Sequence, residues 1–125
     1  MAKPRYYTTV TDFRWFQRHV KHYMKRYRLS HWIIQFRHEQ PERSISQVLY
    51  DEDEERATFI LAKDWDGQEV SAVEIRITAL HEVAHLVMAK LCTLAEQRHI
   101  SKGQIDEEEH MVISRMIHAE FEEVR

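Results

Sequence analysis

The residues best able to do chemistry are His81-Glu82-Val83-Ala84-His85, an H-E-x-x-H pattern. On an α-helix, residues four apart lie one turn up and about 40° round, so the two imidazoles project side by side. Each can place a ring nitrogen about 2.0–2.1 Å from one Zn²⁺. Glu82 stands next to His81 at the rim of that face. From there its carboxylate can reach a water on the metal without being a ligand itself. Two histidines around a glutamate also arise by chance on a buried helix face. The long apolar period around them, free of Gly and Pro from Gln68 to Lys102, favours the metal reading.

Two histidines are too few, because a catalytic zinc usually takes three protein ligands and a water. The third is expected on the next helix. Glu109 precedes Val112 and Ile113 by three and four residues, and Met116 and Ile117 by seven and eight. That spacing puts it within an apolar stripe, where a carboxylate is costly unless a cation pairs with it. His110, aligned with Ile113 and Ile117, is a rival. Glu108, aligned with Val112 and Arg115, is a second. Asp106 and Glu107 read as charges favoured at the positive end of a helix dipole.

Other reactive side chains have plainer readings. Cys92 follows His85 by seven residues and lies about 10.5 Å further along the helix, too far for the same ion. It reads as a core thiol. His19 and His22 read as surface residues, and Trp15, Trp32 and Trp65 as packing residues. For an oxyanion donor the candidates are Tyr50, His99 and His118.

The elements that must position these groups follow from periodicity. Phe13, Phe16, Val20, Tyr23, Met24 and Tyr27 form one stripe, which predicts a helix over 11–28 with Thr11 or Asp12 as N-cap. Ser30 to His38 alternates, with Trp32, Ile34 and Phe36 on one side. Ser46 to Asp51 and Arg56 to Lys63 are two further strands. Short connections suggest an antiparallel meander. Val70, Val73, Ile77, Leu80, Ala84, Val87, Met88 and Leu91 then mark a long helix of about seven turns. Gly103 interrupts it. A last helix begins near Ile105, with Val112, Ile113, Met116, Ile117 and Phe121 as its apolar stripe. The expected class is α+β: N-terminal helix, three-stranded antiparallel sheet, long H-E-x-x-H helix, C-terminal glutamate helix.

This order, with His81-Glu82-Val83-Ala84-His85 followed by Glu109-His110-Met111-Val112-Ile113, resembles the minimal gluzincin metallopeptidases. These are the minigluzincin and SprT-like proteins, some of them encoded by phages and prophages. The strand around Ala57 to Leu61 is loosely similar to the family's upper-rim strand. The resemblance implies a zincin-like fold and Zn²⁺ held by His81, His85 and Glu109, with Glu82 as general base. Many larger gluzincins carry an acid or amide four residues after the metal glutamate. Ile113 stands there in this sequence, so no group is identified that orients the imidazoles.

The implied reaction is peptide hydrolysis by a zinc-activated water, with Glu82 moving the proton. A substrate could pair along the third strand. The alternative is a zinc-containing module on the same scaffold that binds a partner or nucleic acid without cleaving. Composition bears on this. The 125 residues fit one domain spanning 1–125. A single cysteine and the lack of a long apolar run lead to the expectation of a cytoplasmic protein without a membrane span. Net charge is −3, yet residues 1–43 carry ten Lys/Arg against three Asp/Glu. Arg14, Arg18, Lys21, Lys25 and Arg28 fall within about 80° of arc on the first helix. They form a basic stripe that either faces solvent or touches phosphates or an acidic partner.

Overall fold

The computed structural model describes residues 3–42, 44–97 and 99–121. Helix α1 (Val10–Arg26) starts one turn earlier than its apolar stripe suggests. Thr9 is the N-cap, and Asp12 is the third residue of the first turn, not the cap. The two form a reciprocal capping box, Thr9 accepting from the Asp12 amide and Asp12 from the Thr9 amide. Arg5 forms an ion pair with the same carboxylate. Phe16, Val20, Tyr23 and Met24 are buried, as the stripe requires.

Three strands follow: β1 (Ile33–His38), β2 (Ser46–Asp51) and β3 (Arg56–Leu61). Their order is β1-β3-β2, not the sequential order of a meander. β2 and β3 form an antiparallel hairpin with Val48 opposite Phe59. β1 runs parallel to β3, with Phe36 opposite Phe59, so the sheet is mixed and not wholly antiparallel. The reason is apolar content. Ala57, Phe59, Ile60 and Leu61 are all buried, so β3 takes the centre, where both of its edges are paired. β1 and β2 alternate and take the edges.

Helix α1 covers one face. Phe16 meets Phe36 edge-on with centroids 6.4 Å apart, Phe36 stacks on Phe59 at 5.7 Å, and Phe13 stacks on His38 at 4.8 Å. On the opposite face Ile33 and Leu49 stay exposed. The segment before α1 is tied to the chain after β3: the Thr8 amide donates to the Lys63 carbonyl at 2.8 Å and the Trp65 amide to the Tyr6 carbonyl at 2.9 Å.

Asp66 and Gly67 then turn the chain with φ of 47° and 83°, a left-handed pair that glycine makes easy. Helix α2 (Ala72–Val87) begins at the Ser71 cap, whose hydroxyl accepts from the Glu74 amide at 3.1 Å. The expected single long helix is broken. It bends by 47° into α3 (Ala89–Glu96), with Met88 at the joint. Helix α4 (Lys102–Phe121) includes Gly103 in its first turn and packs mainly against α3.

The two site-bearing helices bury faces other than those expected. α2 turns Ile75, Ala79, Val83 and Leu86 into the core. Its other apolar stripe, Val73, Ile77, Leu80, Ala84 and Met88, is exposed. α2 is therefore apolar on two sides, and contact with α1 and the sheet selects the one seated. On α4, Val112 and Ala119 are buried, while Ile113, Met116, Ile117 and Phe121 are exposed. Among the described residues no single helix is long and apolar enough to cross a membrane.

Candidate metal centre

His81 and His85 lie one turn apart on the open side of α2. Their Nε2 atoms converge to 3.3 Å, with ring planes at 76°. Two nitrogens bound tetrahedrally at zinc's usual 2.0–2.1 Å stand about 3.3–3.4 Å apart, so the pair fits that ion. Glu82, one residue on, points the other way round the helix and is only 4% exposed. Its Oε2 accepts the Ser46 hydroxyl at 3.2 Å. Ligand-type atoms of His81, Glu82 and His85 all lie within 4.8 Å of one another. Burial raises the pKa of Glu82, against the opposing pull of His85, the Ser46 hydrogen bond and His81. A carboxylate held in this way keeps a proton more readily than an exposed glutamate, which suits general acid–base work.

A cleft of about 520 Å³ opens between α2 and β2 over these groups. Ser46, Gln47, Val48 and Tyr50 form its sheet wall; Glu74, Thr78 and the H-E-x-x-H residues form its helix wall. This corrects the choice of docking strand. β3 is paired on both edges, whereas β2 pairs only with β3 and lines the cleft. The rim strand beside the site is therefore Ser46–Asp51, not Ala57 to Leu61. Ser46 was missed by sequence reasoning. Its signal was the alternation that puts Ser46, Val48 and Tyr50 on one face. Tyr50 does line the cleft, its pKa raised by burial, with Cys92, Glu96 and Glu52 adding to the effect. His99 and His118 do not line it and are exposed.

Among the described residues no side chain from another element joins the two histidines as a ligand. Among the described residues the one group able to hold a metal is His81, Glu82 and His85. Glu109 is exposed, not within a buried stripe. The packed stripe of α4 is Ile105, Glu108, Val112, Arg115 and Ala119, rotated away from Glu109. Glu108 enters a charged hollow with Glu52, Lys90 and Arg115, and burial raises its pKa first of all. The His110 Nδ1 donates to the Asp106 carbonyl at 2.7 Å on its own helix. Cys92 is exposed and free, so it is not a core thiol. His22 is exposed as expected, His19 half-buried. All five residues of the basic stripe stand exposed, with Arg18 over the Trp15 ring at 5.0 Å and Lys21 over Phe36 at 5.8 Å. Set against protein-family models, curated proteins and solved structures, the chain matches none.

Proposed function

We propose that this chain is a zinc-dependent metallopeptidase of the minimal gluzincin type. The observation that carries the reading is the 3.3 Å convergence of His81 and His85 beside a buried glutamate in an open cleft. A bound zinc would lower the pKa of a water towards about 7 and polarise a carbonyl. The chain's own residues do the rest. Glu82 takes a proton from the attacking water and delivers it to the leaving nitrogen. Ser46 fixes the rotamer of that carboxylate through its hydrogen bond. The free edge of β2 offers backbone groups to an extended peptide, which gives alignment with little sequence demand. Tyr50, which lines the same cleft, is the candidate to donate to the carbonyl oxygen as charge develops there.

A second role is favoured by one observation, the exposure of Arg14, Arg18, Lys21 and Lys25 along one side of α1, with Arg28 exposed just beyond the helix end, where its φ of 63° takes it off the helical stripe. That stripe suits contact with nucleic acid or an acidic partner.

The test is elemental analysis of metal per chain for wild type, His81→Ala and His85→Ala, beside cleavage of an unfolded polypeptide. We expect one zinc per chain in wild type and loss of both metal and cleavage in the variants. A wild type without zinc, or histidine variants that keep it, would remove the reading.

A further inference from the structure

The two uncovered apolar stripes and the unfilled ligand position belong together. Val73, Ile77, Leu80 and Met88 stand exposed on α2, Val73 by 65%. His81 and His85 lie along the edge of that stripe. On α4, Ile113, Met116, Ile117 and Phe121 stand exposed, the last two by 53% and 61%. At 100° per residue, Glu109 falls between Met116 and Ile113, within the exposed α4 stripe, about 60° from Val112 and about 80° from Ala119 on the packed face. A helix that is apolar on two sides has a second face to cover.

We propose that two copies of this chain form a twofold dimer in which α4 of each lies along α2 of the other, so that Glu109 of the partner subunit becomes the third ligand of the His81–His85 pair. This rests on the metal-centre reading above. Three observations select a second copy as the occupant. The first is register. Glu109 to Ile117 spans about 12 Å of helix, as does the midpoint of the histidines to the Val73–Ile77 turn. With the helices antiparallel, Glu109 of the partner subunit meets the imidazoles, Ile113 of the partner subunit meets Leu80, and Met116 and Ile117 of the partner subunit meet Ile77 and Val73. The second is area. At roughly 90 Å² for each half-exposed apolar side chain, the two stripes give about 700 Å² per copy, close to the about 800 Å² each partner gives a standard interface. The third is that nothing must come apart. α4 already seats Val112 and Ala119 on its own core, and moving it onto its own α2 would unseat them. A partner reaches the outward stripe by rigid docking. β2 lies on the other side of the histidines, so the docked helix covers only the Ile77 margin of the cleft and leaves its sheet wall free.

The experiment is sedimentation and zinc titration of the full chain, with zinc as the only added ligand. Wild type with zinc is expected at twice the 15.2 kDa chain mass, with one tight zinc per chain. Ile117→Glu, at an exposed position that leaves the fold intact, is expected to stay monomeric and to bind zinc at least about tenfold more weakly, the loss that even groups one step removed from a metal produce. The decisive measurement mixes His81→Ala with Glu109→Ala. Neither binds zinc tightly alone. In a mixed dimer the Glu109→Ala chain keeps its histidines and receives Glu109 of the partner subunit, so the mixture gains tight sites, one per mixed dimer. A zinc-bound monomer with one tight zinc per chain, or a mixture that recovers no tight site, overturns this proposal and leaves the metal centre standing. No zinc binding by wild type overturns the metal centre itself.

Discussion

Replacing Glu82 with Gln separates three roles that the structure superimposes on one side chain. Glutamine keeps the shape, and its carbonyl oxygen can still accept the Ser46 hydroxyl now held at 3.2 Å. Only the charge goes. Glu82 is 4% exposed and its pKa is raised, chiefly by burial. For a group raised in the fold, the stabilisation is complete below the unfolded value, near 4.3 for glutamate, and is lost as pH climbs through the folded value. Glutamine stays neutral throughout. In metal-free protein, the unfolding free energy of Glu82→Gln should therefore match wild type at about pH 4 and exceed it increasingly towards about pH 7. Hydrolysis should fall by about 10²–10⁴-fold in kcat, a barrier increase of about 2.7–5.4 kcal/mol, as expected for a positioned base. Zinc affinity should not weaken if Glu82 acts as the proposed base and not as a ligand, although its carboxylate lies within 4.8 Å of the histidine nitrogens. Urea melts of chelator-treated protein at the two pH values, kcat on a quenched peptide and competitive zinc titration read the three effects separately. A variant that keeps more than about a tenth of wild-type kcat would refute the base assignment. One whose relative stability falls as pH rises would refute the burial argument.

Four further outcomes are expected. Ser46→Ala removes a hydrogen bond that lowers the Glu82 pKa, so the acidic limb of the pH–rate profile should move to higher pH. Burial pushes the Asp12 pKa up, but hydrogen bonds from Arg5 and Thr9 outweigh it and hold the group below its usual range. Its stabilisation is thus present above about pH 4 and lost as pH falls through the folded value. Asp12→Ala should cost about 1 kcal/mol at neutral pH, and the difference should shrink in acid melts. Phe16→Ala, at a fully buried ring edge-on to Phe36, should cost about 3–5 kcal/mol in urea unfolding. The double change Arg14→Glu and Lys21→Glu, both exposed, should abolish any salt-dependent retention on immobilised single-stranded DNA. It should leave stability within about 0.5 kcal/mol.

The paired imidazoles are legible in the sequence because a four-residue step on a helix has one geometric outcome. Which side of the helix faces the core is not legible. Ile75, Ala79, Val83 and Leu86 repeat with the same period as Val73, Ile77, Leu80 and Ala84. Only contact with α1 and β2 decides between them, and that is tertiary information. The same ambiguity moved Glu109 from an expected interior to the surface, because α4 seats the small Ala119 and Val112, not the bulkier Ile113 and Met116. The α+β class and the order of elements follow from periodicity. The strand order does not, since connection length alone allows a chain to skip a position. A signal was present in the near-continuous apolar run of β3 beside the alternating β1 and β2. The bend at Met88 has no marker, for neither Gly nor Pro stands near it.

Placing β3 between strands that both precede it constrains how the molecule assembles. β2 and β3 are joined by the short turn 52–55, so their hairpin closes a small loop and can form on the microsecond scale. β1 has no partner in the sheet until β3 is present, and joining it closes a loop that contains the whole of β2. During synthesis from the N-terminus, α1 and β1 would emerge first and wait with Phe16 and Phe36 unsheltered. The local β2–β3 contact closes a far shorter loop than the β1–β3 contact does.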